Sequence, residues 1–310
     1  MNKKFLNIII IIFTLFFMYQ IILNKFLVHS SISFALDIWV NNLIPSLFPF
    51  FIITDILINY NVTYYIPRKI RYFCKRIFNI TDNMLTILIL SMLSGFPNNA
   101  RNTRLLYDNG IITLDEANHI LIFSHFSNPV FILTTVGLFF FNNKLVGIIL
   151  LISHYLSNFI LGILFRKYFD HYDNNVHTVS KDIHFGNVFI NAINKSVDTI
   201  LLICGIVTIF LLLAAIINNV FNLNLYSSMI IKGILEITIG IEALAKLNLS
   251  MIYKIFLASC FLAFGGFSVH MQVICQINDT KISYKYFLIG RIFQTIISGF
   301  ITYLICLFAI

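Results

Sequence analysis

The chain has 310 residues, 59% of them hydrophobic and only 11% charged, and its mean hydropathy is +0.88. That balance excludes a water-soluble globular domain and places the chain among membrane proteins, whose spanning helices need about 20 apolar residues to cross roughly 30 Å of hydrocarbon. The net charge of +8 does not point to nucleic acid as a partner, because the basic residues cluster where a cytoplasmic membrane face needs them; the lipid bilayer is the expected partner.

Residues 5–23 follow Lys3 and Lys4 and form the first apolar run. It is too long for the apolar part of a signal peptide and has no small-x-small cleavage site, so it reads as a retained anchor, the core of an N-terminal unit 1–36. Residues 38–58, with Asp55 and two prolines, are a weaker span. Residues 67–79 carry Arg68, Lys69, Arg71, Lys75 and Arg76 with no acid, and the positive-inside rule puts them on the cytoplasmic face. Full spans are expected over 120–141, 145–165, 197–217 and 286–310. Between 145–165 and 197–217 lies a polar segment, 166–195, with four Lys/Arg, three Asp and three His; it reads as a cytoplasmic linker between the halves 37–165 and 196–310.

Two further apolar runs, 84–97 and 251–268, are of marginal length and each ends in Gly-Phe followed by polar residues. An offset of 171 positions aligns Gly95, Phe96, Asp108 and Ile111 with Gly266, Phe267, Asp279 and Ile282. Three spans separate the two runs, and an odd number inverts the second half. The charges agree: 67–79 is strongly basic, whereas its counterpart 231–247 balances Lys232 and Lys246 against Glu236 and Glu242. The expectation is an all-α polytopic membrane protein with about six spans, two re-entrant hairpins at 84–97 and 251–268 and an inverted repeat, both termini cytoplasmic. Inverted repeats with broken helices meeting near the midplane are the plan of secondary transporters.

Candidate site residues follow from the two Gly-Phe tips. Non-helical backbone at membrane depth is tolerated only against protein or a wet cavity, so the tips should face each other, with Gly95 and Gly266 allowing close approach. Pro97 and Pro129 free helix carbonyls, Ser94, Asn98, Asn99 and Asn128 offer donors and acceptors, and Ser268, His270 and Gln272 follow on the second tip. A packing kink and helix caps are the competing readings. Glu236 precedes the second tip and shares a helical face with Gly240, and a surface pair with Lys232 at i−4 competes with a site role. Arg101 and Arg104 are costly in hydrocarbon and call for water, a carboxylate or an anionic solute, with snorkelling to headgroups the simpler reading.

No metal or cofactor is expected. His171, His177 and His184, with Asp170 and Asp173, belong to a solvated linker, and the five cysteines are scattered without a C-x-x-C and read as small buried hydrophobes. No H-E-x-x-H, G-x-S-x-G or P-loop pattern occurs, so the chain does not read as an enzyme.

Five stretches together carry a resemblance: Ser94-Gly95-Phe96-Pro97 with Ala100, GIITLDEA over 110–117, FSNPVFILTTVG over 126–137, EITIG over 236–240, and FGGFSVHMQV over 264–273. From about Leu43 to the C-terminus the chain resembles the sporulation integral membrane proteins of the YlbJ type, within the wider nucleoside-recognition or Gate-domain group. The resemblance implies a multi-pass protein of the bacterial cell membrane needed for spore formation, with a Gate-like repeat in each half. Movement or gating of a small polar solute between the tips is the first functional expectation. A non-transporting scaffold that recruits sporulation membrane proteins through its basic face is the second, and a homo-oligomer is compatible with either.

Overall fold

The computed structural model describes residues 3–169 and 184–309, and among them every regular element is helical. The expected linker residues 170–183, with His171, His177, Asp170 and Asp173, lie outside the described residues. Helix α1 (Lys3–Leu23) has no buried residue between Lys4 and Leu23, as suits a lipid-facing anchor. Helices α2 (Lys25–Ile38) and α3 (Ile44–Asn59) form one 35-residue rod, Lys25–Asn59, joined by a π-helical segment, Trp39–Leu43. Pro45 cannot donate its missing N–H and its ring crowds the carbonyl four residues back, and the widened turn in front of it absorbs that conflict.

Helix α4 (Arg68–Phe78) carries the five basic residues and meets α5 (Asp82–Ser94) at 95°. Its exposed Ile70, Tyr72 and Phe73 alternate with the cations, the pattern of a helix lying on a membrane surface. Thr81 caps α5, accepting from the Met84 amide, and Asp82 in the first turn pairs with Arg71 at 2.9 Å. After Gly95–Pro97 the chain turns back as α6 (Asn98–Asp108). Asn83 donates to the Ile111 carbonyl at 3.4 Å, so both legs of this first hairpin have their feet on one face. Thr113 and Glu116 then build a reciprocal capping box that starts α7 (Leu114–Phe123).

Residues 120–141 are not one span. Helix α7 stops at Phe123, residues 124–128 are non-helical, and a π-helical segment, Phe131–Phe140, resumes the crossing beyond Pro129. Helix α8 (Lys144–Leu164) returns, and Gly137 and Gly147 pack backbone against backbone. Helix α9 (Phe185–Phe221) begins inside the stretch expected to be linker.

The second hairpin is not 251–268. Helices α10 (Leu225–Leu235) and α11 (Ile237–Lys246) fold against each other about Glu236, so close that a Cβ on Gly240 would collide with the Gly233 backbone, while one on Gly233 would meet the Phe261 ring. Met251–Ile277 instead forms a 27-residue candidate span made of α12 (Met251–Phe264) and α13 (Gly266–Ile277), broken at Gly265 and Gly266, both at positive φ. Helix α14 (Tyr284–Ala309) runs beside α12 and α8.

The repeat register is therefore about 141 positions, not 171: it carries Gly95 onto Glu236, Phe123 onto Phe264, Ser127 onto Ser268 and Lys144 onto Lys285. In each half a hairpin is followed by a broken crossing and an unbroken span. The rod Lys25–Asn59 shows the inversion. Beyond its C-terminal end Thr63 bonds Thr86 of the first hairpin at 2.7 Å. At its other end Asn24 bonds Asn219 at 3.2 Å, two residues before α9 ends and six before the second hairpin begins. The hairpins thus enter from opposite faces. Asparagine does much of the turning: Asn61, Asn79, Asn142 and Asn222 all sit at positive φ, a region that Asn tolerates better than most side chains.

Candidate functional site

The hairpin tips meet. A small cavity of about 20 Å³ lies between them, lined by Phe96 of the first tip, Glu236, Ile237 and Thr238 of the second, Asn128 and Phe131 of the first broken crossing, and Val269 and Gln272 of the second. Leu43, Ser46 and Leu47 of the rod and Ile203 of α9 complete it. The volume suits about one water molecule.

Glu236 sits in extended backbone at the fold of the hairpin, 2% exposed. Its carboxylate accepts from the amides of Thr238 at 2.8 Å and Ile239 at 3.1 Å, and from Thr238 Oγ1 at 3.2 Å. It thereby satisfies the first N–H groups of α11, which have no water to bond at that depth, and lies at the positive end of the helix dipole. The expected alternative, a surface pair with Lys232, is not made; Glu236 bonds Lys232 only through its backbone amide.

Asn128 plays the matching part at the first tip. Its Nδ2 donates to the carbonyls of Leu93 at 3.1 Å and Ser94 at 3.4 Å, and its Oδ1 accepts from Val130 N at 2.8 Å. One amide thus closes the end of α5 and starts the π segment. Gly95, at φ +77, is required here: a Cβ would stand 2.6 Å from the Asn128 backbone nitrogen. The Phe96 amide donates to Phe126 O at 2.9 Å, pairing tip and break directly, and the Phe96–Pro97 peptide is cis. Gly266 lies against Ile237 and the Leu235 carbonyl, so the second break supports the second tip in the same way.

Of the remaining expected site residues, Gln272 lines the cavity and its Oε1 is buried without a partner, the one lining side chain whose acceptor is free. Ser268 and Asn99 are also buried with unpaired side-chain atoms, but neither borders the cavity. His270 does not join it either: Nδ1 meets the Tyr284 hydroxyl at 2.6 Å and Nε2 the Phe264 carbonyl at 3.0 Å, which ties α13 to α14. Ser94 and Asn98 bond each other at 2.8 Å, and Asn98 donates to Thr54 at 2.7 Å. Pro97 opens α6.

Arg101 does not snorkel. It is buried and donates to Asp55 of α3 at 2.5 Å, with a longer contact to Asn98. The pair clamps the first hairpin to the rod. Arg104 is half-exposed, paired with Asp108 at 3.1 Å, and donates to Gln276 O.

Sequence reasoning overlooked Arg291. This arginine of α14 is fully buried and has no carboxylate partner among the described residues. It donates to Ile122 O at 3.1 Å, Ala263 O at 3.4 Å and His125 O at 3.5 Å, bonds Gln294, and lies over the Phe287 ring. Ile122 and Ala263 are equivalent in the repeat, each one residue before the end of a broken helix, so one cation serves the negative ends of two half-helices at once. An ionisable residue inside a spanning run is a functional signal by itself, and Arg291 in the last span was visible on that ground.

No family model matches the chain, and no solved structure matches it. The chain is similar to the sporulation integral membrane protein YlbJ of Bacillus subtilis (strain 168), at 27% identity over 308 residues, covering 86% of this chain and 76% of that protein. Similarity of that extent supports a multi-pass membrane protein of the YlbJ type.

Proposed function

We propose that this YlbJ-type membrane protein acts in spore formation by moving or gating a small polar solute where the two hairpin tips meet. The observation that carries the reading is the small cavity bounded by both tips and both broken crossings, whose lining includes Glu236 and Gln272 with its free acceptor. Its one-water size is that of a site with the tips in contact, and separating the tips would enlarge it. Helix ends and small polar groups at mid-membrane are the means by which inverted-repeat carriers hold solutes. No step in this reading makes or breaks a covalent bond.

The face bearing α4 also carries Arg166, Lys281 and Lys285, and we assign it to the cytoplasm with Lys3 and Lys4. Seven crossings, the broken one at 114–140 included, then carry the C-terminus to the opposite face, which replaces the expectation of two cytoplasmic termini. Each half supplies one Gate-like repeat about the 170–183 connection.

The test is complementation of Bacillus subtilis lacking YlbJ, counting heat-resistant spores. Glu236→Ala and Gln272→Ala at normal membrane levels should reduce the count at least tenfold. The exposed basic face of α4 favours the scaffold reading as the alternative. Under that reading the tip variants sporulate normally, and charge reversal at Arg68, Lys69 and Arg71 abolishes sporulation without flipping the topology.

A further inference from the structure

The second hairpin borders another cavity, on the flank turned away from the tip site. It encloses about 440 Å³ between α2, α9, α10 and α11, within the range of small-molecule sites. Phe34, Leu211 and Leu225 give it apolar walls, and Ser31 and Ser228 add hydroxyls.

Three charged side chains also line it: Lys232, Glu242 and Lys246. Glu242 is engaged by Lys246 at 2.5 Å. Among the described residues no acid lies within ion-pair distance of Lys232, so the half-buried Lys232 leaves the cavity with one uncompensated positive charge. The feet of the hairpin, Leu225 and Leu247, stand at one end of the cavity, and Lys232 lies one turn before the tip residue Glu236.

We propose that this cavity binds an anionic phospholipid, with its phosphate held by Lys232 and the serine hydroxyls and an acyl chain along Phe34 and Leu211. The apolar walls select an amphiphile, because a free inorganic anion gains nothing from them, and the lysine selects a negative head group over a zwitterionic one. A lipid seated there touches both legs of the second hairpin and the spans behind it, so its occupancy holds that hairpin in place.

The inference is independent of what passes the tip site. The experiment is native mass spectrometry of the purified full chain titrated with dioleoyl phosphatidylglycerol, dioleoyl phosphatidylcholine or glycerol 3-phosphate. Phosphatidylglycerol is expected to bind the wild type in preference to phosphatidylcholine. Lys232→Gln is expected to weaken it about fivefold, the effect of one lysine near an anionic lipid. Leu211→Trp, which narrows the cavity where the acyl chain would lie, should weaken binding, and Glu236→Gln should leave it unchanged. Equal binding of both lipids, an unaffected Lys232→Gln, or glycerol 3-phosphate binding as tightly as the lipid would each overturn the proposal, the last by showing a site for free anions.

Discussion

The two hairpins occupy equivalent places in the repeat and are built to different standards of rigidity. The first is held on every side: Asp55 and Arg101 pair across it, Asn98 reaches Thr54, Asn128 closes its tip, and Asn83 bonds its foot. The second has a tight crossing at Gly233 and Gly240 and a self-contained cap at Glu236, but one flank faces a 440 Å³ cavity instead of packed side chains. Local stability follows buried contact and satisfied polar groups. The first hairpin is therefore the more firmly held wall of the cavity between the tips, and the second is the less constrained one.

The comparison breaks most severely if the clamp is not what fixes the first hairpin. Asp55→Ala leaves Arg101 as an uncompensated buried charge and should cost about 3–5 kcal/mol, read as a large fall in thermal unfolding temperature in detergent. Asp55→Leu combined with Arg101→Met should recover most of that loss, and a double-mutant cycle on the two positions measures the coupling. A single substitution with little effect would remove the distinction between the hairpins.

Arg291→Met comes next, at about 2–4 kcal/mol, because the carbonyls of Ile122 and Ala263 lose their shared donor. Cysteines introduced on α7 and α12 should then exchange or label faster than in the parent. Glu236→Ala removes a cap and should cost about 1–2 kcal/mol, with Glu236→Gln less harmful because an amide oxygen still accepts. Hydrogen exchange should rise in 225–246 and stay unchanged in 82–108; equal rises in both would mean that the hairpins unfold as one unit. Lys232→Gln should change thermal stability by less than about 0.5 kcal/mol when no anionic lipid is present, as expected for a half-exposed side chain with no ion-pair partner among the described residues.

Composition and apolar run length were enough to identify the membrane class and most spans, because the hydrocarbon core imposes its length on any sequence that crosses it. Asn128, Glu236 and Gln272 stood out as candidates because polar groups beside glycine and proline breaks have few other reasons to sit at that depth, and all three line the cavity between the tips. The second hairpin was misplaced for a physical reason. Gly-Phe marks a hairpin tip at Gly95 but a break within a crossing at Gly265 and Gly266, and both uses need the same positive-φ glycine. The real hairpin, 225–246, carries Lys232, Glu242 and Lys246, whose spacing reads as surface ion pairs. Asp55 and Arg101 are 46 positions apart, so their pairing depended on a tertiary contact that no local pattern encodes.

The central claim, two hairpins entering from opposite faces, is tested most directly by sided cysteine labelling in a chain lacking its five native cysteines. Single reporters at Arg76 and Asn109 flank the first hairpin, and reporters at Asn222 and Asn248 flank the second; all four positions are exposed. The account predicts that Arg76 and Asn109 label only from the cytoplasm and Asn222 and Asn248 only from outside, with Asp279 siding with the first pair. A split within either pair would make that hairpin a full crossing and contradict the inverted arrangement on which the tip site depends.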